Sequence, residues 1–187
     1  VRCWISDDQG SSWREPIHVA DEASLKLCEP GAVELSDGTL VCIMRENSFQ
    51  GLDAYKAISR DGGESWAGVW ALPLPGCHRP TPGVLRSGSV LVTHRMAQGG
   101  KGGWGSWQNF FGALLDETSC AAMSRQEART RLFPIDFDRN PKADTGYSGW
   151  AQFDDGEIYV VNYIVDDAPN GHIRGYSFRE SELELGR

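Results

Sequence analysis

Short apolar runs joined by glycine turns recur along the chain. Three segments share an apolar run, a turn that ends in Gly and a returning apolar run: 34–41, 84–91 and 152–159. This pattern predicts β-hairpins with two-residue turns of the Ser/Asp-Gly type, because Gly tolerates the positive φ that such turns need. Runs with helical periodicity are scarce, and the 22 Gly and 7 Trp favour short strands with tight turns. The sequence therefore predicts an all-β fold.

A second motif occurs twice. Segments 6–13 and 59–66 share the pattern S-x-D-x-G-x-x-W, with Asp8 and Asp61 placed 53 residues apart. The Asp carboxylate can accept amide hydrogen bonds of a turn, and the Gly supplies a positive φ. We expect each Trp to fold back as an apolar plug whose N–H finds a partner. Two copies of a four-point pattern indicate a structural repeat.

The spacing of the hairpin turns indicates the kind of repeat. The turn glycines Gly38, Gly88 and Gly156 lie 50 and 68 residues apart, so the third unit contains an insertion. We place the insertion at 99–140, where a Gly-rich run and a polar stretch with helical character (124–131) interrupt the strand pattern. Repeats of about 50 residues made of short antiparallel strands are typical of β-propeller blades.

We therefore expect about three blades of four antiparallel strands. The chain is expected to begin and end within a blade, so the blades fall into four approximate ranges: 1–20, 21–70, 71–140 and 141–187. Because a closed ring needs at least four blades, the chain should not close by itself. We expect the rest of the propeller to lie upstream in a longer parent chain.

The register of the hairpins brings chemistry-bearing residues to equivalent positions. The residues nine positions before each turn Gly are Glu29, Arg79 and Tyr147, and those seven positions after it are Arg45, Arg95 and Tyr163. Equivalent positions in successive blades converge on the propeller axis, so these side chains should meet. Arg grips a carboxylate bidentately, and a Glu beside a Tyr can remove the phenol proton. Both demands fit an acidic sugar as the ligand.

These residues also carry a resemblance to a known family. The two S-x-D-x-G-x-x-W motifs, the run 28–35 followed by Arg45, and the segment 146–148 resemble the sialidase family of six-bladed β-propellers. The resemblance covers nearly the whole chain except 99–140. It implies that the chain is the C-terminal part of one such propeller. It also implies that Glu29 is the general base and Tyr147 the nucleophile that Glu29 activates.

The resemblance further implies a triad of arginines that binds the substrate carboxylate. Arg45 matches the second member. The family's usual Asn-Pro-like strand end is replaced by the sequence 92–96, so Arg95 or Arg79 takes the place of the third member. The first arginine and the catalytic Asp would belong to the N-terminal half. The implied activity is exo-hydrolysis of terminal sialic acid or a related acidic sugar, without a metal or an organic cofactor.

Two alternatives remain open at this point. One is a glycosidase or polysaccharide lyase of the same fold that acts on another acidic sugar. The other is a non-catalytic carbohydrate-binding propeller, since fold alone does not fix function. Upstream sequence with an Arg-Ile-Pro-like strand and a nearby Asp would favour the enzyme.

Composition excludes other classes of function. The formal net charge of −8 argues against nucleic acid as a partner, because phosphate binding needs clustered Lys and Arg. No run approaches 18 consecutive apolar residues, so no membrane-spanning segment is predicted. The five Cys lack zinc-ligand spacing and are interpreted as free thiols. Sugars of this kind lie mostly outside cells, which favours a secreted or periplasmic location.

Other residues near the predicted site receive structural interpretations. Tyr163 is interpreted as a packing residue. His78 and His94 are interpreted as buried structural histidines, because adjacent strand residues face opposite sides of a sheet. The aromatic residues that follow the Gly-rich run either form a sugar-stacking lip or pack on one another: Trp104, Trp107 and Phe110.

Overall fold

The computed structural model describes residues 1–98 and 107–183, and nearly every element in these ranges is a strand. The strands are β1 (Arg2–Cys3), β2 (Ile17–His18), β3 (Leu27–Glu34), β4 (Leu40–Glu46), β5 (Asp53–Ser59), β6 (Ala67–Pro75), β7 (Cys77–Val84), β8 (Val90–Gln98), β9 (Trp107–Leu115), β10 (Arg131–Phe137), β11 (Thr145–Gln152), β12 (Glu157–Ile164) and β13 (His172–Arg179). The helical elements are α1 (Glu117–Ala121) and a 3₁₀ turn (Glu180–Leu183). In the part of the chain described, no helix has the length and apolar character needed to cross a bilayer.

Consecutive strands pair antiparallel in four sheets that follow chain order: β1–β2, β3–β6, β7–β10 and β11–β13. The all-β prediction is confirmed, and the sheets stack as blades of a partial propeller. Within the described ranges two sheets have the expected four strands, the first has two and the last has three. The second sheet ends with β6, so the blade that begins near 21 extends to Pro75.

The sheets are held together by apolar faces that stack on each other. Buried residues of the second and third sheets form one cluster, which includes Val33, Ile43, Leu72, Leu74, Val90, Val92 and Leu115. Those of the third and fourth sheets form another, which includes Leu85, Leu91, Phe110, Ile158 and Val160. The first strand of the third sheet, β7, contacts both β3 and β11. The first strands of three successive sheets therefore run side by side, as inner strands around a common axis do.

The three repeated hairpin turns have one geometry, which differs from the predicted two-residue form. In each, the amide of the turn Gly donates to the carbonyl three residues earlier, and a second bond closes a three-residue loop. The turn glycines adopt φ values of 81° (Gly38), 89° (Gly88) and 87° (Gly156). A left-handed Gly at the last loop position is the usual ending of a three-residue hairpin. The repeat inferred from sequence therefore extends to backbone conformation.

The S-x-D-x-G-x-x-W turns also share their hydrogen bonds. The amide four residues after the Asp donates to its carboxylate, at 2.8 Å for Asp8 and 2.9 Å for Asp61. The indole N–H of Trp66 donates to a turn carbonyl at 3.1 Å, and the ring is half-buried, as expected. Trp13 is 61% exposed, so the expectation of an apolar plug is wrong for the first copy. The turn is set by its Asp and Gly and does not require a buried Trp.

The predicted insertion proves to contain regular strands. Its described part includes β9 and β10, which pair with each other and complete the third sheet. The same part of the chain contains the helix α1. Asp116 caps its N-terminus, because the Asp116 side chain accepts a hydrogen bond from the Ser119 amide. The stretch predicted to have helical character (124–131) is instead irregular as far as the start of β10. The Gly-rich run, 99–103, lies outside the described residues.

A buried lysine fastens α1 to the second sheet. Lys56 in β5 has no exposed surface, and its Nζ donates to the carbonyls of Ser119 (3.0 Å) and Cys120 (2.6 Å). These carbonyls lie near the C-terminus of the helix, where the Ser119 carbonyl also accepts the amide of the C-cap residue Ala122 at 3.4 Å. Burial lowers the pKa of Lys56 to about 8 from an ordinary value of 10.5. Burial of the Lys56 ammonium group therefore lowers the free energy of unfolding by an amount that depends on pH.

We expect Lys56→Met to change how stability depends on pH. Between pH 8 and 10.5 the folded chain has lost the Lys56 proton while the unfolded chain retains it. The free energy of unfolding of the natural protein should therefore rise with pH in this window relative to the variant. Urea unfolding at several pH values measures this difference, with exposed Lys26→Met as the control. A difference that does not vary with pH would contradict the interpretation.

Candidate active site

The first strands of three successive sheets carry the same backbone irregularity. Strand pairing is interrupted at one place in β3, β7 and β11, and in each case a residue inside the interruption has a positive φ. These residues are Glu29 (45°), Arg79 (52°) and Tyr147 (57°), the three that occupy equivalent positions in the sequence register. A left-handed non-glycine residue costs about 1–2 kcal/mol. A bulge repeated in three sheets therefore redirects one predicted site residue from each of these strands.

Glu29 and Tyr147 come into direct contact although they lie far apart in sequence. The phenol of Tyr147 donates a hydrogen bond to the Glu29 carboxylate. The other carboxylate oxygen accepts from Nη1 of Arg45 at 2.8 Å. The Arg45 side chain is 2% exposed and that of Glu29 is 25% exposed, while Tyr147 is 48% exposed. The structure thus brings together three residues that the sequence singled out.

The two partners shift each other's pKa in opposite directions. Burial acts to raise the pKa of Glu29, but the hydrogen bonds from Tyr147 and Arg45 outweigh it and the pKa is lowered. The hydrogen bond to Glu29 raises the pKa of Tyr147, and burial adds to this effect. At neutral pH the pair therefore consists of a carboxylate and a phenol. This is the state in which a base can take the proton of a nucleophile.

The guanidinium of Arg95 lies over the ring of Tyr147. Its Cζ is 5.4 Å from the ring centre, and the residue is 1% exposed. Nε donates to the carbonyl of Thr145, and Nη2 donates to the hydroxyl of Tyr163 at 2.7 Å. The Asp144 carboxylate is 3.6 Å from the same Nη2. Arg95 is thus held in a fixed position next to the phenol.

Tyr163 does more than the packing role that its sequence suggested. Its ring stacks on Tyr147 with centroids 6.1 Å apart, and its hydroxyl donates to Asp144 at 2.6 Å. Burial, followed by the bond to Asp144, raises the pKa of Tyr163. The sequence signal for Tyr163 was its position seven residues after the turn glycine Gly156. No repeat or motif signalled Asp144, which lies just before β11.

Arg79 differs from the other two arginines. It is half-buried, and among the described residues its side chain makes no hydrogen bond or ion pair. Its φ of 52° matches those of Glu29 and Tyr147 in the neighbouring sheets. Arg79 therefore shares the register and backbone form of Glu29 and Tyr147, whereas the contacts described above join Glu29, Arg45, Tyr147 and Arg95.

An aromatic residue that the sequence did not signal lies against the arginine end of the site. Phe49, in the loop after β4, has its ring centre 5.7 Å from Cζ of Arg45 and meets the ring of His78 edge-on at 5.4 Å. Burial lowers the pKa of His78 to about 3, and burial likewise lowers that of His94 to about 4. Both imidazoles are neutral at pH 7, in agreement with their interpretation as structural residues.

Two of the aromatic residues interpreted as either a sugar-stacking lip or a self-packed loop lie among the described residues. Trp107 is 74% exposed at the start of β9. Phe110 is fully buried in the cluster between the third and fourth sheets, so its inclusion in the lip is wrong. Trp104 lies outside the described residues. Within the ranges described, no group of three or more His, Cys, Asp or Glu side chains is arranged to hold a metal ion.

No protein-family model and no curated protein matches the chain. Solved structures do match. A Dyadobacter fermentans protein of unknown function has a TM-score of 0.73 at 22% identity, over 93% of this chain and 44% of its own. The intramolecular trans-sialidase of Ruminococcus gnavus, in complex with oseltamivir carboxylate, has a TM-score of 0.63 at 18% identity, over 98% and 39%.

A third match is the Penicillium chrysogenum α-L-arabinanase complexed with arabinobiose. Its TM-score is 0.60 at 14% identity, over 94% of this chain and 53% of its own. The chain spans about half or less of the length of each of these three proteins. Likeness at these identities shows the fold alone, which is a partial propeller of the sialidase-like kind.

Gly146 provides a test of how tightly Arg95 is held. Its φ is +136°, and a Cβ there would lie 2.9 Å from Nε of Arg95. Gly146→Ala should displace the guanidinium and destabilise the fold by about 1–3 kcal/mol in urea unfolding. Gly149→Ala in the same strand is the matched control, because its Cβ would meet only Val161, at 4.0 Å, among the described residues. Equal losses in the two variants would contradict the packing described.

Proposed function

We propose that this chain is part of a glycoside hydrolase of exo-sialidase type, which removes terminal sialic acid or a related acidic sugar. The observation that carries the proposal is the contact of Tyr147 with Glu29 beside the buried Arg45. Most glycosidases use two carboxylates, and sialidases are the exception that uses a tyrosine nucleophile. The Glu–Tyr pair found here matches that exception.

The charge of the substrate explains why a phenol suits this reaction. Sialic acid carries a carboxylate on its anomeric carbon, so an anionic nucleophile would approach a like charge. In the proposed step the Tyr147 oxygen forms a bond to the anomeric carbon while Glu29 takes the phenol proton. The bond from that carbon to the leaving oxygen breaks at the same time. Water then attacks the anomeric carbon and gives a proton to the group that had protonated the leaving oxygen. The bond from that carbon to the Tyr147 oxygen breaks, and Glu29 returns its proton to the phenol.

We propose that Arg45, with Arg95 or Arg79 as the next member of an arginine triad, binds the substrate carboxylate. Arg45 bonds to Glu29 and Arg95 lies over the Tyr147 ring, while Arg79 occupies the position in the middle sheet that is equivalent to those of Glu29 and Tyr147. Charge-assisted hydrogen bonds contribute about 1.5–3 kcal/mol each, so such a clamp would dominate binding. The step as written uses side chains and water and calls for no metal or organic cofactor.

The leaving oxygen also needs a proton donor. We propose that an Asp and a further arginine are supplied by upstream blades, because the chain spans 39% of the Ruminococcus gnavus trans-sialidase. An acidic-sugar partner of this kind is displayed mainly outside cells, so we propose a secreted or periplasmic location. No nucleic-acid partner is proposed.

A second candidate function keeps the fold and changes the sugar. Arg95 is engaged by Thr145, Tyr163 and Asp144, and its strand end departs from the Asn-Pro-like form implied by the family resemblance. This favours a glycosidase or polysaccharide lyase that acts on another acidic sugar. Aryl glycosides of sialic, ulosonic and uronic acids, assayed on the full-length protein, distinguish the two. Turnover confined to a uronic acid would support the second candidate.

Substitution of the central pair tests the proposal directly. In the full-length natural protein, Glu29→Gln should lower kcat for an aryl sialoside by about 100- to 10,000-fold, because the base is lost. Tyr147→Phe should lower it further, because the nucleophile is removed. Initial rates of aryl release measure both effects.

The matched control is Tyr159→Phe. Tyr159 lies in β12, is 43% exposed and forms no part of the proposed site. Its replacement should leave kcat unchanged. Thermal unfolding should show that all three variants remain folded. Full activity in either Glu29→Gln or Tyr147→Phe would remove the assignment.

The pH profile should report the shifted pKa of Glu29. The base must be ionised, so kcat/KM should fall as pH falls through a pKa below the ordinary 4.5. An aryl sialoside with a 4-nitrophenyl leaving group is suitable, because its departure depends little on an acid. An acid limb centred above pH 5 on this substrate would contradict the hydrogen-bonded carboxylate described here.

A further inference from the structure

We propose that Tyr163 and Asp144 form a positioning pair that holds Arg95 in register with the nucleophile Tyr147. The inference rests on the proposed function, since it assigns Tyr163 a role in the same site. Neither residue of the pair is placed in contact with the reacting atoms. Their effect is exerted through Arg95.

A continuous set of contacts joins the pair to the nucleophile. Asp144 accepts from the Tyr163 hydroxyl at 2.6 Å, and that hydroxyl accepts from Nη2 of Arg95 at 2.7 Å. The bond from Arg95 Nε to the Thr145 carbonyl is the second fixed point of the guanidinium. Two bonds from different nitrogens fix the plane of the group as well as its location. That plane decides whether a carboxylate can be bound bidentately.

The pair is itself fixed by a buried carboxylate. Asp138 is 2% exposed and accepts the amides of Asp144 (3.0 Å), Val165 (3.3 Å) and Asp166 (3.0 Å). It thereby ties the segment before β11 to the segment after β12. Thr145 adds a second tie, because its hydroxyl donates to the Tyr163 carbonyl at 2.9 Å.

The geometry gives the pair two consequences for the reaction. Arg95 faces the Tyr147 ring at 5.4 Å, where its charge favours electron density that builds on the phenol oxygen as the proton leaves. The ring of Tyr163 also stacks on the Tyr147 ring, with the ring centroids 6.1 Å apart. A long arginine side chain left without these contacts would sample several rotamers, and each substrate would have to order it again.

The substitution Tyr163→Phe removes the hydroxyl and keeps the aromatic ring. In the full-length protein it should lower kcat/KM for an aryl sialoside roughly 10- to 100-fold, as expected for loss of a hydrogen bond to a charged group. The melting temperature should stay within about 2 °C, because the ring and its stacking remain. Tyr159→Phe, on the same strand, should change neither. An unchanged kcat/KM in Tyr163→Phe overturns the inference.

A double-mutant cycle separates positioning from a general structural effect. If Tyr163 acts through Arg95, adding Tyr163→Phe to the Arg95→Lys variant should lower kcat/KM by less than about threefold. Independent losses that multiply would overturn the inference. If Tyr163→Phe does not fold, Asp144→Ala replaces it in the same cycle with the same expectation, since the Asp144 side chain is 54% exposed.

A readout without substrate keeps this inference separate from the proposed function. The Nε–H signal of Arg95, assigned by its absence in Arg95→Lys, should exchange with solvent slowly in the natural protein and at least about tenfold faster in Tyr163→Phe. If the natural protein cleaves no sialoside but this change is seen, the proposed function fails and the positioning pair stands. Unchanged exchange overturns the pair whatever the activity.

Discussion

The carboxylate of Glu29 connects elements that lie far apart in the chain. It accepts a hydrogen bond from Arg45 within its own sheet and one from Tyr147 two sheets away. The bond from Tyr147 depends on the stacking of three successive sheets, because β3 and β11 belong to different sheets and β7 contacts both of them. A carboxylate that is three-quarters buried needs such partners, since burying an unpaired charge is costly. The candidate site is therefore complete only when these sheets are stacked.

The backbone strain of the site follows from the same stacking. Glu29, Arg79 and Tyr147 each adopt a left-handed conformation that side chains usually avoid. Such conformations persist only when the surrounding structure determines them fully. Here the interrupted strands are inner strands whose neighbours are buried between apolar clusters. The second strand of each of these sheets pairs with the third without a register shift (β4–β5, β8–β9 and β12–β13). These regular strands hold the irregular inner ones, which gives the predicted site residues fixed positions without loops of their own.

Repetition explains which features could be predicted from sequence. Turn glycines at fixed spacing set the register, and the register located Glu29, Arg45 and Tyr147, because equivalent positions in stacked blades converge. Features set by contacts unique to one place had no such signal. Asp144 contacts Tyr163 and Arg95 through its own carboxylate, and Trp13 is exposed although it shares a motif with the half-buried Trp66. Strands β9 and β10 were missed because the long segment around them masked the repeat.

The arginines divide between two physical situations, which bears on how a ligand would bind. Arg45 and Arg95 are buried and held by protein groups, so the entropy of ordering them is lost during folding and not on binding. Arg79 has no such bonds among the described residues. In the proposed function the rigid pair would define where an acidic sugar sits, and Arg79 would be ordered by that ligand. On this argument, changes at Arg79 should alter which acidic sugar is preferred, whereas changes at Arg45 or Arg95 should disable the site for all of them.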